Sequence, residues 1–207
     1  MVELDRKLIL RFSQLVALNG KDSHSLSSLL CVRAGLPKPD GNDSDVVFID
    51  GGNVFDAYLL PKISLKHEIN SENALAKIHL SRAFNYRQLS RLLNEKLPLA
   101  IDEFKSKLAV VSDMTQLYCD PDIRNKSEIL EVFRKDIRSL VTLAEQKSVL
   151  IVVTNFQTRN RRMHDILMHT AHVSATLKDT STFTQLTLTR HPFNPQLKAT
   201  ISRKLWL

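Results

Sequence analysis

Residues 147–162 read KSVLIVVTNFQTRNRR. Val149 to Val153 form an unbroken apolar run rich in β-branched residues. That is the pattern of a strand covered on both faces in a parallel sheet; a half-exposed antiparallel strand would alternate. The run stops at Thr154 and Asn155, and Arg159, Arg161 and Arg162 follow with no acid between them. Cations therefore sit just beyond the carboxyl end of a buried strand, the edge on which open α/β sheets bind ligands.

The net charge of +7 is placed unevenly. From Lys147 onward nine Lys/Arg face two acids, Asp165 and Asp179, whereas residues 1–146 carry twenty of each. The cationic excess belongs to the C-terminal third, which points to a polyanion, nucleic acid foremost; a solvated face or an acidic protein partner is the blander reading. With 207 residues, 43% hydrophobic, and no central linker, one domain over 1–207 is expected. The early apolar residues Leu8 to Leu10 are hemmed in by Arg6, Lys7 and Arg11, and no stretch approaches the roughly 20 apolar residues of a membrane span. The expectation is a soluble intracellular protein, cytoplasmic or, in a eukaryote, nuclear, with no membrane partner. Cys31 and Cys119 lack CxxC spacing and read as reduced structural thiols.

Taken in order, Val2 to Phe12 is compatible with a helix, and Leu15 to Leu18 is a short strand ending at Asn19-Gly20. Gly20 to Ser27, GKDSHSLS, occupies the place of a phosphate-binding loop, with a helix from Leu26 to about Ala34. Against GxxxxGK[ST], Gly20 and Ser27 are present, but Ser25 replaces the second glycine and Leu26 the lysine, and a leucine cannot neutralise a phosphate. An ordinary strand-turn-helix capped by Ser23 or Ser25 is equally open. Pro37 to Ser44 is a loop, and Val46 to Ile49 is a second buried strand ending in Asp50-Gly51-Gly52-Asn53. A helix follows near Tyr58 to Leu65, limited by Pro61. Lys77 to Asn85 is a third strand running into a loop. Tyr86 to Leu97 is a helix that Pro98 closes, and Leu108 to Val111 is the fourth strand, ending at Ser112-Asp113. The helix from Ser127 carries Ile129, Phe133, Ile137, Leu140, Val141 and Ala144 on one stripe, with Glu131 paired to Lys135 outside. It returns the chain to the Val149–Val153 strand by the right-handed crossover of a parallel sheet. Phe183 to Arg190, the turn HPFNP and Leu197 to Leu205 form a terminal β-hairpin. His164, His169 and His172 match no familiar metal spacing.

The VVTN that leads into basic residues, the SRAFN at 81–85 and the order of the weaker motifs resemble the RecA/RadA recombinase core over nearly the whole chain. The resemblance implies a RecA-like α/β fold, a mostly parallel sheet flanked by helices with a C-terminal β-hairpin. It also makes Gly20, Ser25, Leu26, Ser27, Asp50, Gly52, Ser112 and Asp113 a degenerate nucleotide site. Gly52 falls at the glutamate that activates water. Ser112 falls at the aspartate that holds magnesium, while Asp113, one residue later, points to the other face. Loss of the lysine, the glutamate and the aspartate counts as three independent losses. The expectation is no ATP hydrolysis, no cofactor and no enzymatic activity, because phosphoryl transfer is almost entirely positioning and charge. The chain resembles a recombinase paralogue reduced to its core, without an N-terminal domain or an FxxA polymerisation motif.

The same resemblance places DNA contacts in two loops. Arg124 and Lys126 lie in the first, Tyr118 to Lys126. Arg159, Asn160, Arg161, Arg162 and His164 lie in or just after the second, a mobile basic loop, and Arg190 near the hairpin turn joins them. With no aromatic counted nearby, base stacking is expected to be minor. The favoured function is binding of DNA, single strands first, in homologous recombination and repair. A full-length recombinase, another paralogue or a second copy of the chain are the candidate protein partners. Two other classes stay open. VVFIDGGN also resembles the opening strand of PIN/NYN nucleases, with Asp50 joined by Asp113, Asp120 or Asp122 around a metal. A pseudo-ATPase subunit acting only through protein contacts is the other.

Overall fold

The computed structural model describes residues 10–37, 41–123, 125–192 and 198–205. The segment before Leu10, with the N-terminal helix expected there, lies outside them, as do Arg124 and residues 193–197 of the terminal turn. Eight strands form one sheet: β1 Gln14–Asn19, β2 Val46–Asp50, β3 Ile78–Arg82, β4 Leu108–Ser112, β5 Leu150–Asn155, β6 Val173–Asp179, β7 Phe183–Arg190 and β8 Lys198–Ser202. Their order is β3-β2-β4-β5-β1-β6-β7-β8. Strands β1 to β6 are parallel, and β7 and β8 pair antiparallel. The α-helices are α1 Ser23–Ala34, α2 Leu59–Lys66, α3 Ser71–Ala76, α4 Tyr86–Arg91, α5 Leu97–Glu103, α6 Thr115–Tyr118, α7 Lys126–Lys147 and α8 Arg161–Thr170.

Alternate residues of each central strand serve opposite layers. Leu15, Ala17, Val47, Ile49, Ala109, Val111, Ile151 and Val153 pack with Leu89, Leu93, Ile129, Phe133, Ile137 and Leu167 of the α4–α8 layer. Val16, Leu18, Val46, Phe48, Val110 and Val152 pack with Leu26, Leu29, Leu60 and Ile63 of α1 and α2. A parallel sheet covered on both sides needs apolar residues at every position, which is why these strands read as continuous runs. The quoted run becomes β5, between β4 and β1, with Ile151 to Asn155 buried.

Several local expectations change. Neither Ser23 nor Ser25 caps α1: Asp22 stands at the N-cap and its side chain bonds elsewhere. Pro61 does not limit α2. It is the third helical residue, where no intrahelical donor is lost. Pro98 does not close a helix either. A π turn over Leu92–Lys96 follows α4 and the chain continues into α5 with Pro98 in its first turn; a widened turn tolerates a residue that has no N–H. Glu131 pairs with Arg134 at 2.6 Å rather than with Lys135. The α7 stripe also hides Asp136, fully buried, whose carboxylate accepts from the hydroxyls of Ser90 and Tyr118 and from Asn94 Nδ2. A sixth parallel strand, β6, was not expected, and it joins the terminal hairpin to the sheet.

Candidate nucleic-acid interface

Strands β1, β2, β4 and β5 end together at the carboxyl edge. The chain leaves β1 through three residues only: Ser23 N–H donates to the Gly20 carbonyl at 3.0 Å and Leu26 N–H to that of Asp22 at 3.0 Å. Backbone that would lie open around a phosphate is thus a tight turn and the first turn of α1. Gly20 adopts φ +122°, and a Cβ there would overlap the Leu177 carbonyl of β6, so this glycine serves close packing. Leu26 lies fully in the core. Ser27 is buried and donates its hydroxyl to the His24 carbonyl at 2.9 Å, and Ser25 is half-buried. Asp22 accepts from the Thr184 hydroxyl and pairs with Arg203 at 3.3 Å. Arg203 therefore points inward, clamps the C-terminal strands over this turn and leaves the cationic surface.

Asp50, with no exposed surface, accepts from Val54 N–H at 3.0 Å, Phe55 N–H at 3.1 Å and the Ser112 hydroxyl at 2.7 Å, and pairs with Arg82 at 3.2 Å. Burial is the strongest influence on its carboxyl and pushes it up, yet these hydrogen bonds and the Arg82 charge together hold it below the ordinary value. Ser112 thus serves Asp50. Asp113 is buried at φ +42°. Its N–H donates to Thr154 Oγ1 at 3.1 Å, and its Oδ1 accepts from Phe156 N–H at 3.1 Å. A Cβ on Gly52 would lie 2.5 Å from Asp113 Cβ. The two departures expected at positions 52 and 113 are consequently not independent: the Asp113 side chain occupies the room that any side chain at position 52 would need.

The basic segment begins where β5 ends. Asn155 is tied on three sides: its carbonyl accepts from Gly20 N–H at 2.9 Å, its Oδ1 from the Thr115 hydroxyl, and its Nδ2 donates to Asn19 Oδ1 at 3.3 Å. Phe156 stacks on His24, ring centroids 5.5 Å apart and planes 21° off parallel. An aromatic therefore does stand near the arginines, against expectation, and its face is taken by His24. Burial holds the His24 imidazole below its ordinary value, against the pull of Asp113 and Asp50. The segment is also less of a loop than expected. Asn160 caps α8, its Oδ1 accepting from Met163 N–H at 3.2 Å, so Arg161 and Arg162 stand in the first helical turn and only Arg159 precedes it. All three arginines are exposed. Arg161 approaches Asp165 at 4.0 Å, and Arg159 and Arg162 have no ion pair among the described residues. Two arginines at a helix N-terminus repel the positive end of its dipole, which an anion would relieve.

Lys126, exposed at the start of α7, lines one hollow with Arg162, and Glu128 and Glu131 line it too, so the two cations expected in the DNA loops share a hollow of mixed charge. His164 is half-buried, with its Nδ1 buried and without a partner, and burial holds it below its ordinary value. Arg190 does not belong with the others. It lies opposite Ser174 at the amino-end half of β6, level with Ala17, because β7 runs antiparallel and carries the hairpin turn toward the other sheet edge. The residues that went unremarked are His24, Phe156, Arg82 and the Asp22–Arg203 pair. Their residue types were in view, but each pairs with a residue far away in sequence, from 32 positions for Arg82 and Asp50 to 181 for Arg203 and Asp22. Asp50, Asp113, Asp120 and Asp122 form no nuclease centre: among the described residues no group of three or more His, Cys, Asp and Glu is placed to hold a metal. Nor is any helix among them long and apolar enough to cross a membrane.

A parallel sheet of this order, closed by an antiparallel C-terminal pair and carrying its site on the carboxyl edge, is a RecA-like α/β core. The sequence profile of the Rad51 family matches residues 19–174, and the chain belongs to that family. It is 30% identical over 134 residues to a DNA repair protein RAD51 homolog of Solanum lycopersicum and 31% identical over 134 residues to DNA repair protein RAD51 homolog 1 of Arabidopsis thaliana, covering 63% of this chain and 39% of each relative. With RAD51 homolog A of Zea mays it shares 31% over 129 residues. The matched part is about two fifths of those relatives' length.

Proposed function

We propose that this chain is a non-catalytic Rad51-family module that binds DNA, single strands in preference, and acts in DNA repair by recombination. The observation that carries the reading is the contrast along one sheet edge. Where β1 ends, the phosphate position is filled by a collapsed turn and the buried Leu26. Where β5 ends, Arg159, Arg161 and Arg162 are exposed. The relatives' names, DNA repair proteins, agree with such a role. Each phosphate neutralised on a single strand contributes about −0.7 to the slope of log K against log salt, so three arginines account for about −2.

The test is binding of labelled single-stranded oligonucleotide at several salt concentrations, with and without ATP and magnesium, for the wild type and the Arg159→Ala/Arg161→Ala/Arg162→Ala protein. The expected result is nucleotide-independent binding whose affinity falls and whose salt slope flattens by about two in the triple variant. Unchanged affinity and slope in the folded variant would remove the interface, and turnover of ATP would remove the non-catalytic assignment.

A second reading, contact with a recombinase or another paralogue, has its own observation. The outer edge of β3 pairs with no strand among the described residues, and Leu80 and Phe84 stand 42% and 74% exposed beside it. An open edge with apolar neighbours suits strand addition by a partner.

A further inference from the structure

We infer that His24 and Asp113 are positioning residues which fix the root of the basic segment in its DNA-binding arrangement, so that the segment is ordered by the protein itself rather than by a bound nucleotide. The inference rests on the DNA-binding reading above. Three consecutive residues at the end of β5 are each held from the neighbouring loops. Thr154 receives the Asp113 N–H at 3.1 Å. Asn155 is bonded to Gly20, Thr115 and Asn19. Phe156 gives its N–H to Asp113 Oδ1 at 3.1 Å and lays its ring on His24. Both partners of Phe156 come from the degenerate nucleotide site, His24 from the first turn of α1 and Asp113 from just past the end of β4.

The consequence for the arginines follows from chain length. Phe156 is fixed at one end and Asn160, the α8 cap, at the other, so only three residues, ending in Arg159, lie between two anchors. A span so short cannot sample many conformations while both anchors hold, and the arginines are pre-placed on the sheet edge. Pre-placement raises affinity by removing an ordering cost, without adding a contact. The His24 Nε2 is buried with no hydrogen-bond partner, and the ring meets Phe156 through its face. An aromatic without ring nitrogens can therefore replace it. Asp113 acts through one acceptor oxygen, which an asparagine also supplies.

Two readouts test this on the full chain: trypsin cleavage after Arg159, Arg161 and Arg162 under native conditions, and binding of a labelled deoxythymidine oligonucleotide across salt concentrations. His24→Ala is expected to speed cleavage and weaken binding about three- to tenfold, the size of one lost aromatic pair. The salt slope should stay unchanged, because every cation is still there. His24→Phe is expected to restore both readouts, and Asp113→Asn to stay close to wild type where Asp113→Ala does not. ATP with magnesium should alter neither readout. If His24→Ala is cleaved and binds like wild type, or if His24→Phe is as impaired as His24→Ala, the inference is overturned. If the wild type binds no oligonucleotide, the DNA-binding reading fails, and cleavage alone still decides whether His24 and Asp113 hold the segment.

Discussion

The coupling between Gly52 and Asp113 can be measured as an energy. A Cβ on Gly52 would sit 2.5 Å from Asp113 Cβ, about an ångström inside ordinary contact, and 3.1 Å from Asp113 Oδ2. Cβ atoms cannot swing aside, and the backbone that carries them is pinned by Gly51 N–H to the Ser112 carbonyl at 3.1 Å and by Asp113 N–H to Thr154 at 3.1 Å. Gly52→Ala should therefore cost about 2–3 kcal/mol, the range for overpacking a site that cannot relax. Asp113→Gly has two opposed effects. It removes the acceptor for Phe156 N–H, about 1 kcal/mol, and it frees a residue held at φ +42°, worth about 1 kcal/mol the other way. In the Asp113→Gly background the collision is gone, so Gly52→Ala should cost less than about 1 kcal/mol, for a coupling energy of about 2 kcal/mol. Urea denaturation of the four proteins supplies the cycle. Additivity within about 0.5 kcal/mol would refute the claim that the two positions compete for one space.

Leu26→Lys should not restore ATP turnover in a phosphate-release assay, and it should lower stability by about 3 kcal/mol or more, since it puts an amine where a fully buried leucine stood. Tyr118→Phe should cost about 1–3 kcal/mol by denaturant midpoint, because it strips the donor from Asp136 Oδ2 in a fully buried site. The sign of the pH dependence follows from His24 and His164, both held by burial below the ordinary 6.5. As pH falls below 6.5 the unfolded chain takes up protons that the folded one refuses, so stability is full above that pH and declines on acidification. Asp50, held below 3.8, adds a second decline under that pH. Urea midpoints that rise between pH 7.5 and pH 5 would contradict the histidine assignment.

What local pattern can show and what it cannot separate cleanly along this chain. Strands β1, β2, β4 and β5 were legible because a sheet covered on both faces makes every residue apolar. Strand β6 was not, because VSATLKD mixes small, polar and charged residues and runs past the sheet edge, where Lys178 and Asp179 are exposed. Pro98 misled because a π turn is a tertiary accommodation with no sequence mark of its own. At the site, the arginines of the basic segment could be picked by type and by their position after a buried strand. Arg203 has the same type and turns inward, and only its partner Asp22, far away in sequence, accounts for that. Arg190 was misplaced for a related reason: which sheet edge a hairpin turn reaches depends on the strand before it, and that strand was missing from the expectation.

On the proposed non-catalytic reading, the nucleotide site differs from one that merely lacks residues, because each position that departs from the ATPase pattern makes a contact that opposes the patterned residue. A lysine at position 26 would have to leave a packed core. A glutamate at position 52 would meet the Asp113 Cβ. An aspartate at position 112 would stand where the Ser112 hydroxyl donates to Asp50 at 2.7 Å, setting two carboxylates together in a buried place and forcing one of them to take up a proton. Each single reversion is thus unfavourable for its own local reason. Asp113, which blocks one of them, is also the group that holds Phe156 at the root of the arginine segment. Clearing the space for a catalytic glutamate by removing Asp113 would release the segment that the proposed DNA contacts need. Nucleotide chemistry and a preset basic edge would therefore compete for the same few side chains, and in this chain Asp113 is bonded to Phe156 on the edge proposed to bind DNA.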